Sequence, residues 1–120
     1  MKRLKTLLES PTDTQYEQAH QLFLHDRVDE AEQEALELIK TYAKHTQTYF
    51  LLAQIARNGR HYQRAWERYN KVLSYEKSND KARLGRARAN FECYRFEDAL
   101  DDYLTLYEYS FGSVDYLVSL

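Results

Sequence analysis

Between Tyr62 and Leu73 the apolar and small side chains fall at Tyr62, Ala65, Trp66, Tyr69, Val72 and Leu73, with Gln, Arg, Glu, Asn and Lys in the gaps. Steps of three and four place those six on one face of an α-helix, whereas a half-buried strand needs strict alternation. The same spacing predicts helices over roughly Val28 to Tyr42 and Phe96 to Tyr109, each preceded by another helical run. Short polar breaks separate the runs: HDR at 25–27, NGR at 58–60 and CYR at 93–95. Gly59 in the second break predicts a left-handed C-cap, because glycine has no Cβ to clash in that conformation. One Pro and three Gly in 120 residues, with long stretches rich in Ala, Leu, Glu, Gln, Lys and Arg, favour helix throughout. The chain reads as all-α.

Small residues reveal how the helices are organised. Ala19, Ala53 and Ala87 are spaced 34 apart, as are Ala31, Ala65 and Ala99. Leu38, Val72 and Leu106 keep the same interval, and so do Val28, Tyr62 and Phe96. Two independent alanine series at one period define repeat units 12–45, 46–79 and 80–113. A two-helix unit buries its apolar face only by stacking on a neighbour, so residues 1–120 are expected to form one domain. The N-terminal segment 1–11 contains KRLKTLLE, a candidate short capping helix ending before Ser10 and Pro11. Residues 114–120 read VDYLVSL, with Leu117 and Leu120 at the large apolar positions of a partial fourth unit. A terminal cap and a fragment of a longer array both fit that segment.

A 34-residue helix-turn-helix unit with a small residue at its eighth position and Ala at its twentieth, followed by an aromatic at the twenty-fourth, resembles the tetratricopeptide repeat (TPR). Tyr49, Leu52, Ala53, Tyr62, Ala65, Tyr69, Val72 and Leu73 of the second unit fit that pattern. The third unit keeps Ala87, Phe96, Ala99, Leu100, Tyr103 and Leu106 but has Arg83 and Arg86 where large apolar residues are expected. The first keeps Ala19, Val28, Ala31 and Leu38 but has Gln15, Gln18 and Ala35 at other signature positions. None of the units has the family's proline near its end. The resemblance implies an α-solenoid of three TPR-like repeats plus short terminal helices, with the first helix of each unit lining a concave groove. Its groove positions correspond to Asp13, Tyr16, His20 and Phe23; to Gln47, Phe50, Gln54 and Arg57; and to Lys81, Leu84, Arg88 and Phe91. One subset of the family clamps a C-terminal carboxylate with Lys, Asn and Arg. Here Tyr16, His20, Leu51 and Gly85 stand at four of those places and only Lys81 matches, which disfavours that role.

Charge refines the picture. The net charge is −2, but residues 9–37 carry nine acids against Arg27, residues 57–88 ten bases against three acids, and residues 89–120 seven acids against Arg95. Arg57 is expected to face the groove, Arg60 and His61 to sit at the turn, and Arg64 and Arg68 to form a solvated outer edge. The acidic run EDALDDY, with Glu97, Asp98, Asp101 and Asp102, is expected to be a solvated helix face.

Enzymatic chemistry finds no foothold. His20, His25, His45 and His61 lack metal-ligand spacing, Cys93 has no positioned base, and the three glycines are isolated rather than gathered into a phosphate loop. No catalytic, metal or cofactor site is therefore expected. A single cysteine, no signal-peptide core and no membrane-span window favour the cytoplasm. The functional expectation is a non-enzymatic protein-interaction module, an adaptor, assembly factor or secretion-type chaperone, that binds a partner peptide with apolar and acidic anchors. The alternatives are nucleic-acid binding through 57–88, disfavoured by the acidic flanks, and self-assembly into homo-oligomers through charge-segregated faces and an exposed terminal edge.

Overall fold

The computed structural model describes residues 10–111 of the chain. These form six α-helices and no strand: α1 (Pro11–Leu24), α2 (Val28–Thr41), α3 (Thr46–Asn58), α4 (Tyr62–Tyr75), α5 (Asp80–Glu92) and α6 (Phe96–Phe111). The expected N-terminal capping helix and the partial fourth unit at 114–120 lie outside the described residues.

Local chemistry explains where several helices begin. The Ser10 hydroxyl accepts the Asp13 amide at 3.1 Å with Pro11 in the first turn, and the Asn79 side chain accepts the Ala82 amide at 3.0 Å. Each satisfies an amide that has no partner within its own helix. At the other end, α1, α3 and α5 close in the same way. The amides of Arg27, His61 and Arg95 donate to the carbonyls of Leu22, Ala56 and Asn90, each at 2.8 Å. The residues just before them, Asp26, Arg60 and Tyr94, have φ of 62°, 64° and 63°. This is the Schellman closure, and it repeats every 34 residues. The expectation that Gly59 takes the left-handed position is corrected: its φ is −86°, and Arg60 takes that conformation instead. The six-to-one hydrogen bond fixes which residue turns, and packing of the hairpin offsets a cost of about 1–2 kcal/mol for a residue with a Cβ.

All six alanines of the two series are at most 2% exposed. Their small side chains let consecutive helices approach closely, and larger residues fill the adjoining space. One core cluster joins Ala19, Ala31 and Ala35 to Leu51, Leu52 and Ile55; another joins Ala53, Ala56, Ala65, Tyr69, Val72 and Leu73 to Ala82 and Ala89. Helix α3 contributes to both and welds them together. Each helix packs on the next, while α1 also touches α3 and α3 touches α5. The first helices of the hairpins thus form the inner row. The radius of gyration is 16.7 Å, well above the roughly 13–14 Å of a compact chain this size. The architecture is an elongated α-solenoid.

The junction of α4 with α5 depends on an absent side chain. A Cβ added at Gly85 would clash with the ring of Tyr69, a residue only 1% exposed. The tyrosine ring occupies the volume that any other residue at 85 would claim.

A buried polar network reinforces the same junction. Arg86 donates to both carboxylate oxygens of Asp102, at 2.9 and 2.6 Å, and to Asn70 Oδ1 at 2.8 Å. Arg83 approaches Asp102 at 3.6 Å, and Arg95 links Asn90 Oδ1 at 3.2 Å to Gln63 Oε1 at 2.8 Å. The arginines at two expected apolar positions are therefore partnered. The reading of EDALDDY as a solvated face is corrected at Asp102, which is 4% exposed, while Glu97, Asp98 and Asp101 do face solvent. Asp102 is drawn inward because two guanidiniums on α5 require a counter-charge. Removing one member of such a pair typically costs about 3–5 kcal/mol, since the other charge stays buried.

Gly85→Ala should lower stability by about 1–3 kcal/mol through overpacking against Tyr69, although alanine is intrinsically the better helix former by about 1 kcal/mol. Urea denaturation followed by circular dichroism measures this; an unchanged or raised midpoint would contradict the packing described.

A candidate peptide groove on the inner helices

The first cleft, about 390 Å³, opens on the inner row. It brings together Tyr16 and His20 from α1, Gln47, Phe50 and Gln54 from α3, and Lys81 from α5. All six stand at positions that the TPR resemblance assigns to a groove. The Tyr16 ring stacks on His20 with centroids 5.7 Å apart and the planes within 12°, and it also meets His45 at 5.7 Å. Burial, aided by the Glu17 charge, holds the Tyr16 phenol above its ordinary pKa. Asp13 reaches the same corner, its carboxylate 4.0 Å from His45 Nε2. Phe50 meets Tyr69 edge to face at 5.6 Å.

Three lining residues escaped the sequence reading: Thr46, Glu76 and Asn79. Glu76 accepts from the Thr46 hydroxyl at 2.7 Å and from the Asn79 amide at 2.9 Å. These two hydrogen bonds hold its pKa below the ordinary glutamate range, opposed weakly by burial. The family pattern assigns groove positions only to first helices, whereas Glu76 lies in the link between α4 and α5. The usable signal was Asn79, a helix-capping residue type directly before Asp80, which marks a tight connection returning to the inner row.

A second cleft of about 520 Å³ is lined by residues from α3 through α6. Arg57, Arg88 and Phe91, all predicted groove residues, meet Arg60, Tyr62 and Tyr103 there. The pKa of the Tyr69 phenol is raised chiefly by burial and drawn back by the charges of Arg57 and Arg88, so both guanidiniums act on one buried ring. Phe91 is 54% exposed, with its ring 5.2 Å from that of Phe96. Two predicted residues sit elsewhere. Phe23 packs against the Ala19–Leu52 core, and Leu84 is half-buried on α5 outside both clefts. A further cleft of about 530 Å³ beside α1 and α2 contains none of the predicted residues.

The structure also disperses the basic middle of the sequence. Lys81 faces the first cleft and Arg57, Arg60 and Arg88 face the second, while Arg83 and Arg86 are engaged by Asp102. Lys71 lies 5.4 Å from the Tyr75 ring centre. The expectation of a solvated Arg68 is corrected: its side chain is 17% exposed, donates to the Leu52 carbonyl at 3.0 Å and lies 3.9 Å from Glu32. Burial lowers its pKa, partly countered by Glu32. Its long apolar stem covers the seam between hairpins while its head reaches the carboxylate of the preceding one.

No protein-family model matches the chain, and no curated protein matches it in sequence. A crystal structure of MamA, a TPR-containing protein, superposes on it with a TM-score of 0.77. The two are 16% identical over 81% of this chain and 57% of the MamA chain. The fold is TPR-like. This chain spans little more than half of that neighbour, and the likeness is one of fold. Among the described residues no helix is long and apolar enough to cross a membrane.

The Glu76 geometry has a pH signature. A carboxyl whose pKa is depressed on folding contributes stability above its unfolded value, near 4.3, and loses it as the pH falls through the folded value. The urea midpoint of Glu76→Gln should therefore lie below that of the wild type at pH 7, by a few tenths of a kcal/mol after solvent screening, and the gap should close in acid. A gap that stays constant from neutral to acid pH would contradict the hydrogen-bonded carboxylate.

Proposed function

We propose that this chain is a non-enzymatic protein-interaction module that holds an extended or helical partner segment along the inner faces of α1, α3 and α5. The observation that carries this reading is the convergence of Tyr16, His20, Phe50, Gln54 and Lys81, from three different helices, on one cleft. Aromatic rings there offer apolar area with little rotamer entropy to lose, and amide and ammonium groups add directional contacts. Such a groove suits an adaptor, an assembly factor or a secretion-type chaperone acting in the cytoplasm. Nucleic-acid binding is the weaker reading, because the ten bases of 57–88 are shared among two clefts, an internal ion-pair network and the outer face rather than aligned in a stripe.

Self-assembly has a specific observation in its favour and uses a different face. Phe96, Leu100 and Leu104 are each more than half exposed along α6, at the helical spacing of a packing surface.

Panning a random-peptide phage library on the immobilised protein should enrich peptides whose binding is lost in Tyr16→Ala/Phe50→Ala and kept in Gln33→Ala, which alters the outer face. Failure to enrich any peptide, or equal binding to all three proteins, would contradict groove recognition, provided their circular dichroism spectra agree.

A further inference from the structure

The arginines among the described residues divide sharply by partnership. Arg27, Arg68, Arg83, Arg86 and Arg95 each hold a carboxylate, amide or carbonyl oxygen. Among the described residues Arg57, Arg60, Arg64 and Arg88 hold none, and three of these four share the second cleft. Glu92 is the one carboxylate lining that cleft, so its formal charge is three minus one, or +2. In the first cleft Lys81 and Glu76 cancel, with His20 counted as neutral. One cleft is thus cationic and the other balanced.

Arg57 is half-buried at the last turn of α3, Arg88 is exposed on α5, and the charges of both act on the buried Tyr69 phenol. Tyr69 is held by its close packing on Gly85, and neither guanidinium is paired with an acid among the described residues. Phe91 and Tyr103 are 54% and 39% exposed beside them. Unpaired cations next to exposed aromatic rings are complementary to a carboxylate adjacent to an apolar or aromatic side chain. At the other end the Glu76 carboxylate is braced by Thr46 and Asn79. It faces the same space as Tyr16, Phe50 and Lys81, where a second acid would meet like charge.

We propose that the groove is electrically polarised: Arg57 and Arg88, with Phe91, select an acidic residue flanked by an apolar one, while Glu76 excludes acids from the Tyr16–Lys81 end. The partner is then a charge-asymmetric peptide segment, acidic toward α5 and neutral toward α1, and the charge pattern sets the direction in which it lies. This rests on the groove reading above and names the partner chemistry for it.

The test uses peptides selected by the wild-type protein from the phage library, synthesised with a fluorescent label and titrated by anisotropy. They should be enriched in Asp or Glu next to apolar residues. They should bind Arg57→Gln/Arg88→Gln about tenfold more weakly, equivalent to roughly 1.4 kcal/mol, with a salt dependence smaller than that of the wild type. Arg64→Gln should leave binding unchanged, and panning on Arg57→Glu/Arg88→Glu should enrich basic peptides instead. Glu76→Lys should admit peptides carrying an acid at both ends.

Selected peptides that require Phe50 but show no acidic enrichment would overturn the polarised groove and leave groove binding standing. A selection that yields no peptides would remove both. A labelled single-stranded DNA oligonucleotide that binds at low salt and is lost in Arg57→Gln/Arg88→Gln, with no acidic peptide bias, would overturn the proposal in favour of a phosphate chain.

Discussion

The contact of the Tyr69 ring with the backbone at Gly85 is the constraint on which the inner face depends. With no Cβ at 85, α5 approaches α4 closely enough for the ring to be almost wholly buried. From that fixed position Tyr69 supports Phe50 edge to face in the first cleft and feels the charges of Arg57 and Arg88, which line the second. One buried aromatic side chain is thus a core residue of the solenoid that touches residues of both clefts through a ring contact and through charge. The same glycine explains why a basic residue is missing from a place where the carboxylate-clamping subset of the TPR family has one. Any side chain there would displace Tyr69.

The two junctions of the solenoid are held by different chemistry. Between the first and second hairpins, Leu51, Leu52 and Ile55 fill an apolar space floored by Ala19, Ala31 and Ala35. Between the second and third, the apolar contact at Tyr69 is joined by the Arg86–Asp102–Asn70 network. A buried ion pair contributes little net stability relative to apolar residues of the same size, yet it penalises a register in which either partner is left alone. The third hairpin, whose signature positions carry arginines rather than large apolar residues, is thereby seated by directional contacts. Arg68 adds a similar tie on the outside, from α4 to Glu32 on α2.

The 34-residue alanine series made the fold legible, because the close approach of two helices admits few side chains and the restriction recurs in every unit. Helix limits followed from the three-to-four spacing. Most proposed groove positions of α1, α3 and α5 line one of two clefts, while Phe23 turns into the core. What the sequence concealed depends on neighbours distant along the chain. Asp102 looks like its exposed neighbours Asp98 and Asp101 until α5 places two guanidiniums beside it. Arg68 looks solvated until Leu52 and Glu32 come within reach, and Gly85 looks incidental until Tyr69 lies on it. The left-handed turn at Arg60 was missed for a related reason. Composition pointed to Gly59, whereas the hydrogen-bond register of the closing turn selects the next residue.

A TPR-like fold supplies a curved array of helices, and the side chains on its inner row decide what that array can hold. Recognition of a partner is proposed to occur on α1, α3 and α5. Nitrogen–proton correlation spectra of the labelled protein, recorded during titration with a selected peptide, test this most directly. The account predicts shifts concentrated at Tyr16, His20, Phe50, Gln54, Arg57, Lys81 and Arg88, with the outer residues of α2 and α4 unmoved. Perturbations centred on those outer residues, or on the exposed strip of α6, with the inner row silent, would contradict it.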